Sequence, residues 1–291
     1  MAIWNLGSIN LDHVYRVPHL PRPGETLTAD AYAVGLGGKG ANQSVAAARA
    51  GAEVHHIGAV GADGGWALGK LRGFSVDIAH VAEVAMATGH AIINVDPEGE
   101  NAIVIHPGAN RAIAEAALGT ALARASAGDT LLLQNETNLQ AEAAAAAKAR
   151  GLRVIYSAAP FDIDAVRAVL PHVTLLAMNE GEAAALVAAT GTTLEALPVA
   201  GIIVTRGAKG SEWVARGRAP VVAEAFRVVP VDTTGAGDCF IGSLAAALDA
   251  GADAAGAMRY AAAAAALQVT RNGAADAMPT RAEVEAFLTS R

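Results

Sequence analysis

The sequence predicts an α/β protein built on a mostly parallel sheet, and three observations favour this fold class. Between residues 113 and 205, short apolar runs alternate with stretches of helical composition, which is the pattern of successive βαβ units. Hydrophobic residues make up 53% of the 291 residues, enough to bury a large core. Aromatic residues make up only 4%, whereas alanine and 31 glycines dominate, so we expect helices that approach the sheet closely.

In the first 110 residues the predicted strands and helices do not alternate regularly. An apolar run at 2–8 is typical of a buried first strand and leads into GSINLD, which we interpret as a polar loop. The segment PHLPRPGETL contains too many prolines for a helix. The other elements predicted here are a strand at 26–36 that leaves the main sheet, a helix at 40–50 that stops at Gly51, a strand at 54–60, and hairpin strands at 89–95 and 102–106 around the turn DPEGEN.

The remainder of the chain is regular. Strands are predicted at 130–134, 153–156, 173–178 and 201–205, and helices at 113–126, 139–150, 180–190, 236–250, 253–270 and 281–289. No internal repeat is visible, and no linker is long enough to mark a domain boundary. We therefore expect one domain over residues 1–291, with the hairpin and the strand at 26–36 as a small excursion from it.

Composition argues against several classes of protein. A formal net charge of −7 disfavours a protein that binds nucleic acid or an anionic membrane surface. Cys239 is the only cysteine, which excludes an intramolecular disulfide and a Cys-rich zinc site. With no histidine near it in sequence, this cysteine is expected to be a small packing residue rather than a catalytic thiol. The first residues do not form a secretion signal and no apolar run is long enough for a membrane helix, so we expect a cytoplasmic protein.

The first glycine-rich segment is GLGGKGANQS, residues 35–44, which contains a G-x-G-x-x-G match. A dinucleotide-binding fingerprint should follow the first strand, but here another strand comes earlier and Glu53 precedes its strand. A Walker P-loop fails because Gly40, not Ser or Thr, follows Lys39. Two interpretations remain. The glycines let the backbone approach a ligand that Lys39 and Asn42 bind, or the segment is a turn and helix start with a solvated lysine.

The second segment is VDTTGAGDCFIGSL, residues 231–244. Small residues directly before an apolar helix leave free backbone N–H groups at its positive end, which favours an anion-binding site. Asp238, in the first turn, is either a capping carboxylate or a general base beside that site. A cap alone does not account for the two threonines, the second acid Asp232 and the two glycines around it.

Together these segments resemble the ribokinase family of carbohydrate kinases. The resemblance covers nearly the whole chain, in the order GSINLD, PRPGET, GGKGANQSVAAARAG, VGADGG, the hairpin with GEN, NEGEA, TRGAKG, DTTGAGD and PTRAEVEAFL. It implies a three-layer α/β/α fold with a small β-sheet lid, whose strands come from about 13–36 and 88–106. It also implies transfer of the γ-phosphate of ATP to a sugar hydroxyl. GGKGANQ is similar to ribokinases rather than fructokinases or adenosine kinases, so the expected acceptor is the primary hydroxyl of D-ribose.

The resemblance also assigns residues to the sugar and to catalysis. The sugar ligands it implies are Asn10, Asp12, Gly38, Lys39, Asn42 and Glu136. Glu136 follows a strand, where a carboxylate suits a diol, although an ordinary acid at a strand end is the alternative. Asp238 would take the hydroxyl proton. The backbone N–H groups of Gly235, Ala236 and Gly237, together with the backbone N–H of Asp238, would form an anion hole.

For the cofactors, the resemblance implies ATP, Mg²⁺ and a monovalent cation, K⁺. Asn179 and Glu182 would organise Mg²⁺, indirectly, and the phosphates, with a helix capping box as the alternative. The nucleotide would contact Thr205, Gly207 and Gly210. The cation site would consist of Asp232 and Thr234 together with main-chain carbonyls near Gln268, Arg271 and Gly273.

Three positions depart from the family pattern. Ala262 stands where a histidine or asparagine is frequent near the adenine, and Ala277 where a serine is frequent around the cation loop. His90 in the hairpin is unusual and either meets the substrate or is structural. Because lid strands have exposed edges and an apolar face, we also expect a homodimer formed through the lid.

Alternative functions remain open on the sequence. They are a kinase of the same family for fructose or a nucleoside, a non-catalytic sugar-binding protein on the same scaffold, and an NAD-dependent dehydrogenase. A non-catalytic protein would be expected to lose Asp238 or a glycine of GAGD, and this chain keeps them all.

Overall fold

The computed structural model describes residues 1–291 and contains two sheets and nine α-helices. The strands are β1 Ala2–Leu6, β2 Asn10–Arg16, β3 Ala31–Gly37, β4 Glu53–Val60, β5 Asp77–Glu83, β6 Gly89–Val95, β7 Asn101–His106, β8 Thr130–Gln134, β9 Arg153–Ser157, β10 Leu175–Asn179, β11 Gly201–Thr205, β12 Ser211–Val214 and β13 Val221–Ala223. The helices are α1 Lys39–Arg49, α2 Gly65–Gly73, α3 Glu115–Leu122, α4 Gln140–Ala149, α5 Ile163–Val169, α6 Glu180–Thr190, α7 Ala236–Asp249, α8 Ala254–Gln268 and α9 Arg281–Thr289. None of these helices has the length and apolarity of a membrane span.

The central sheet has the strand order β13-β12-β11-β10-β9-β8-β1-β4-β5. All its pairings from β5 to β11 are parallel, and only β12 runs in the opposite direction, since β13 pairs antiparallel with β12 in turn. Chain order reverses between β1 and β8, because β4 and β5 follow on one side of β1 and β8 to β11 on the other. Ligands of open parallel sheets bind beyond the carboxyl ends of the strands at such a reversal.

Helices cover both faces of the central sheet, because alternate strand residues point to opposite sides. Ile3 and Leu132 belong to a core packed under α1, α2, α7, α8 and α9. Trp4 and Leu131, their neighbours in sequence, belong to a second core under α3 to α6. The three-layer α/β/α architecture that the resemblance implies is therefore confirmed.

The smaller sheet, which we call the lid sheet, has the order β3-β2-β6-β7. It corresponds to the hairpin and the departing strand predicted from the sequence. The interpretation of GSINLD as a loop is wrong in its second half, since β2 begins at Asn10 and pairs with β3 and β6. Asp12 is thereby placed on a strand, opposite Gly35 and Ala91 on one face of the lid sheet.

Other predictions need correction at their ends or were missing. The strand predicted at 26–36 begins only at Ala31, and the helix predicted at 113–126 spans only Glu115–Leu122. The elements that the sequence patterns did not indicate are α2, β5, α5, β12 and β13. Three glycines in the nine residues of α2 (GWALGKLRG) obscure its helical pattern.

A close approach of α1 and α7 positions the residues of the site. At Gly242, a Cβ atom would lie 2.4 Å from the Gln43 carbonyl oxygen and 2.7 Å from the Ala46 Cβ. Only glycine leaves room for α1 at this point, one turn after Asp238. The two glycine-rich segments, about 200 residues apart in sequence, are thus held side by side.

Candidate active site

A cleft of about 190 Å³ opens at the carboxyl ends of the central strands. It is lined by Ser157 from β9, Met178 and Asn179 from β10, Thr205 from β11, and by Lys39, Glu182, Thr233, Gly235, Ala236, Gly237 and Asp238. Eight residues that the sequence resemblance assigned to a site therefore meet in one cleft. Gly207 and Gly210 do not line it, since they lie in the turn that follows Thr205.

Asp238 lies at the inner wall of this cleft, with 8% of its surface exposed. Its Oδ2 accepts a hydrogen bond from Asn42 Nδ2 at 3.1 Å, and its Oδ1 accepts one from Gln43 Nε2 at 3.0 Å. Burial raises the pKa of this carboxyl, against the Lys39 charge and the two amide donors, which lower it. A carboxylate of this kind has a pKa closer to the working pH of a general base than an exposed aspartate has.

The start of α7 offers backbone donors beside Asp238. Gly235 precedes the helix in a left-handed conformation, with φ of 79°. The N–H of Ala236 donates to the Thr233 carbonyl at 3.2 Å. The expectation that this N–H belongs to the anion hole is therefore corrected. The N–H groups of Gly235, Gly237 and Asp238 have no partner within the protein and remain available at the positive end of the helix.

Lys39 lines the cleft at the start of α1. The charges of Asp238, Glu136 and Glu182 raise the pKa of its ammonium, with Asp238 contributing most, although burial opposes them. The side chain is therefore positively charged at neutral pH. Its backbone N–H donates to Glu136 Oε2 at 2.9 Å, which also accepts from the Ser8 hydroxyl.

Two carboxylates lie where the lid sheet meets the cleft. Burial first, and then the charge of Glu136, raises the pKa of Asp12 to about 6. A Cβ at Gly37 would lie 2.1 Å from Asp12 Oδ2, so the glycine leaves the space that this carboxylate occupies. A pair of half-buried acids next to Lys39 suits the recognition of a polyhydroxylated ligand.

Asn10 is oriented by a residue that the sequence did not single out. Asn110 donates from Nδ2 to Asn10 Oδ1 at 2.7 Å and accepts from the Ile9 N–H at 2.9 Å. The amide group of Asn10 is therefore turned so that its Nδ2 is free to donate. Asn110 lies in the turn after β7, and nothing in its local sequence indicates the contact.

On the opposite side of the cleft, Asn179 and Glu182 form a capping box at the start of α6. Asn179 Oδ1 accepts from the Glu182 N–H and Glu182 Oε2 accepts from the Asn179 N–H, both at 2.8 Å. The structural interpretation of this pair is thus confirmed, yet both residues also line the cleft. The other carboxylate oxygen, Glu182 Oε1, has no hydrogen-bond partner. It could bind Mg²⁺, which commonly takes one or two carboxylate oxygens and fills its other positions with water.

The loop before α7 is tied to the loop after α8 by Asp232 and Gln268. Asp232 accepts from the N–H groups of Thr234 and Gly273, each at 2.9 Å, and Gln268 donates to the carbonyls of the same two residues. Gln268 Oε1 is buried without a partner, and an orphaned buried oxygen is a donor that fits an alkali cation. The Arg271 side chain pairs with Glu283 at 2.7 Å, and this contact does not involve the Arg271 main-chain carbonyl.

The remaining positions that the sequence singled out take structural surroundings. His90 pairs with Leu11 on the face of the lid sheet opposite Asp12, where its ring packs against those of His13 and His106. Cys239 is fully buried, and burial raises the pKa of its thiol to about 12, which suits a packing residue. Ala262 and Ala277 are buried.

Comparisons with known proteins agree with this geometry. A family model described as pfkB family carbohydrate kinase matches residues 3–281. Ribokinase from Haemophilus influenzae is 38% identical, covering 97% of both chains, and deoxyribokinase from Salmonella typhi is 31% identical, covering 99% of both. Among solved structures, Arabidopsis thaliana ribokinase complexed with ribose and ATP is similar with a TM-score of 0.88 at 31% identity, covering 99% of both chains. Because the family model and these relatives match the chain over almost all its length, this protein belongs to the pfkB family of carbohydrate kinases.

Proposed function

We propose that the protein transfers the γ-phosphate of ATP to the primary hydroxyl of D-ribose, giving ribose 5-phosphate and ADP. The observation that carries this proposal is the position of Asp238, between the carboxylates of the lid side and the free N–H groups of α7. The similarity to curated ribokinases supports the choice of sugar.

In the proposed complex the sugar lies under the lid sheet. Asp12 and Glu136 accept hydrogen bonds from its secondary hydroxyls, while Asn10, Lys39, Asn42 and the Gly38 backbone complete the pocket. Asn10 acts as a donor because Asn110 occupies its oxygen. This arrangement points the primary hydroxyl at Asp238, and closure of the lid sheet excludes water that would otherwise hydrolyse ATP.

The chemical step is an in-line displacement at the γ-phosphorus. Asp238 accepts the proton of the primary hydroxyl while the hydroxyl oxygen bonds to the γ-phosphorus. The bond between the γ-phosphorus and the β–γ bridging oxygen breaks, and ADP leaves. The N–H groups of Gly235, Gly237 and Asp238 and the Lys39 ammonium stabilise charge on the transferred group. Glu182 and Asn179 would hold Mg²⁺ and its water ligands. The metal ion would neutralise charge on the phosphates. Thr205, with Gly207 and Gly210 behind it, contacts the nucleotide.

A second candidate acceptor is 2-deoxy-D-ribose, because a deoxyribokinase is 31% identical over 99% of this chain. The two sugars differ by one hydroxyl, which the acidic pair on the lid side is placed to detect. Sites that hydrogen-bond a substrate hydroxyl reject the analogue that lacks it, since a buried acceptor is left unpaired.

The test is ADP release measured with ribose, 2-deoxyribose, fructose, other sugars and nucleosides as acceptors. We expect the highest kcat/KM with ribose. A higher kcat/KM with deoxyribose, fructose or a nucleoside would reassign the substrate, and absence of turnover with every acceptor would favour a binding protein on the kinase scaffold.

The efficiency with ribose is expected to fall in acid. The pKa of Asp12 is about 6, so this carboxyl becomes protonated as the pH drops through 6 and loses half of its capacity to accept hydrogen bonds. We expect kcat/KM for ribose to decrease below pH 6 and to be level above pH 7. A profile that is flat between pH 5 and 7 would contradict this role of Asp12.

Potassium is expected to activate the enzyme. A cation held by carbonyl oxygens near Gln268 and Gly273 would order the loop that leads into Gly235. Rates should therefore be higher in potassium than in sodium buffer, and the difference should shrink in Asp232→Asn, which weakens the loop. Equal wild-type rates in the two buffers would count against the cation site.

The homodimer predicted from the lid strands is also proposed here. β7 is exposed along its whole length, and Ile103, Val104 and Ile105 have 50%, 68% and 59% of their surfaces exposed. Apolar edge strands of this kind usually require a cover. Sedimentation should show a dimer at micromolar concentration and a monomer for Val104→Lys. A wild-type monomer under these conditions would refute the proposal.

A further inference from the structure

Five polar side chains with no exposed surface form a hydrogen-bonded line behind Asp238. In order from the carboxylate inward they are Gln43, Gln134, Asn5, Ser44 and His56. Four different elements contribute them, namely α1, β8, β1 and β4. Buried polar groups cost stability unless each is paired, so a line of this length needs a reason.

The inner end of the line has a defined direction. His56 Nε2 lies 3.0 Å from the Gly7 carbonyl oxygen, which can only accept, so Nε2 carries a proton. Burial lowers the pKa of His56 to about 4, and the ring is therefore neutral with a lone pair on Nδ1. The Ser44 hydroxyl, 2.8 Å away, must donate to that lone pair.

Each following bond inherits this direction. Ser44 Oγ accepts from Asn5 Nδ2 at 2.8 Å, and the other proton of Asn5 Nδ2 goes to the Gly40 carbonyl. Asn5 Oδ1 then accepts from Gln134 Nε2 at 3.0 Å, whose second proton goes to Gln43 Oε1 at 2.8 Å. With its oxygen occupied in this way, Gln43 can present only its Nε2 to Asp238.

We propose that Gln43 is a positioning residue for the catalytic step, and that the buried line holds its amide with the N–H toward Asp238 Oδ1. Together with Asn42 it gives each carboxylate oxygen one donor, which favours the ionised base and sets its plane. The charged groups facing Asp238 are Lys39, which also favours ionisation, and Glu136, which opposes it. The proposal rests on the role of Asp238 as base.

The test is Gln43→Met, which keeps the side-chain length and removes the donor. We expect KM for ATP and ribose to change little, kcat at neutral pH to fall about tenfold, and the acidic limb of the kcat profile to move up by about one pH unit. Gln134→Met should shift that limb in the same direction by a smaller amount, because Gln43 keeps its donor but loses the bond that orients it.

Thr130→Val is the matched control. Thr130 is fully buried in the same strand as Gln134, and its hydroxyl has no partner, so the limb should stay at its wild-type pH. Gln43→Met with an unmoved limb, or with equal losses at every pH, would overturn the proposal. If instead Asp238→Asn retains full turnover, the proposed function fails before the role of Gln43 is reached.

A measurement on the wild-type protein covers the case in which Gln43→Met does not fold. Nitrogen-15 spectra should show His56 as the neutral Nε2–H tautomer at pH 6. A ring protonated on Nδ1, or one that titrates near 6.5, would reverse the direction of the line and overturn the proposal.

Discussion

Asp238→Asn is expected to lower turnover by at least two to four orders of magnitude, the range in which a positioned general base contributes. The amide cannot take the hydroxyl proton. Its oxygen can satisfy only one of the two donors, Asn42 and Gln43, that now bond the two carboxylate oxygens. Steady-state rates with saturating ATP and ribose measure the loss.

The fold should survive this substitution. Burial raises the pKa of Asp238, so the charged side chain carries a desolvation cost in the folded protein. Replacing it with a neutral amide removes this cost, and the gain offsets the weakened hydrogen bonds. Asp249→Asn is the matched control, because Asp249 is a buried acid at the other end of α7, 4.0 Å from the N-terminal amine. Near-wild-type turnover in Asp238→Asn would remove Asp238 from the mechanism.

Asp12→Asn is expected to raise KM for ribose about ten- to a hundredfold while kcat and KM for ATP change little. Hydrogen bonds to a charged group contribute about 1.5–3 kcal/mol, and this substitution replaces a two-oxygen acceptor with one oxygen and a donor. The effect falls on KM because Asp12 lies on the lid sheet, away from the start of α7. Initial rates over a ribose series measure it.

The acid dependence of ribose use provides a second readout for Asp12. In Asp12→Asn the decline of kcat/KM below pH 6 should become shallower, because the group whose pKa is about 6 is gone and only the ionisation of Asp238 remains. Asp30→Asn is a suitable control, since Asp30 is an exposed acid beside the same sheet whose side chain makes no hydrogen bond. An unchanged KM in Asp12→Asn would place the sugar elsewhere.

Local pattern was sufficient for the regular half of the fold. β8, β11, α6 and α9 were predicted with the bounds that the structure has, because each has an uninterrupted apolar run or a clear helix start. The lid strand β2 was not, since NLDHVYR carries polar residues on both faces of a sheet that is largely solvated. Periodicity is informative only where one side of an element is buried.

For the site, the sequence indicated the proposed base Asp238, the proposed anion-binding start of α7 and the cleft residues Lys39, Asn179, Glu182 and Thr205. Their types and their positions beside glycines carry that signal. The sequence does not indicate Asn110 or Gln134. Each orients the amide of a residue distant in sequence, Asn10 and Gln43 respectively, and no motif or spacing along the chain predicts such a contact. Gln43 stands next to Asn42 in GANQS, and its contact with Asp238 leaves no signal in the local sequence for the same reason.

Amino-acid sequence by itself determined the fold class, the family resemblance and the two glycine-rich segments, because helix starts, strand runs and turn residues act over a few positions. Tertiary structure alone decided what surrounds the carboxylate of Asp238. Its two amide partners lie 196 and 195 residues away in sequence and reach it only because Gly242 lets α1 and α7 touch. Burial and charge at that contact set the pKa values, and both depend on neighbours that only the folded chain supplies.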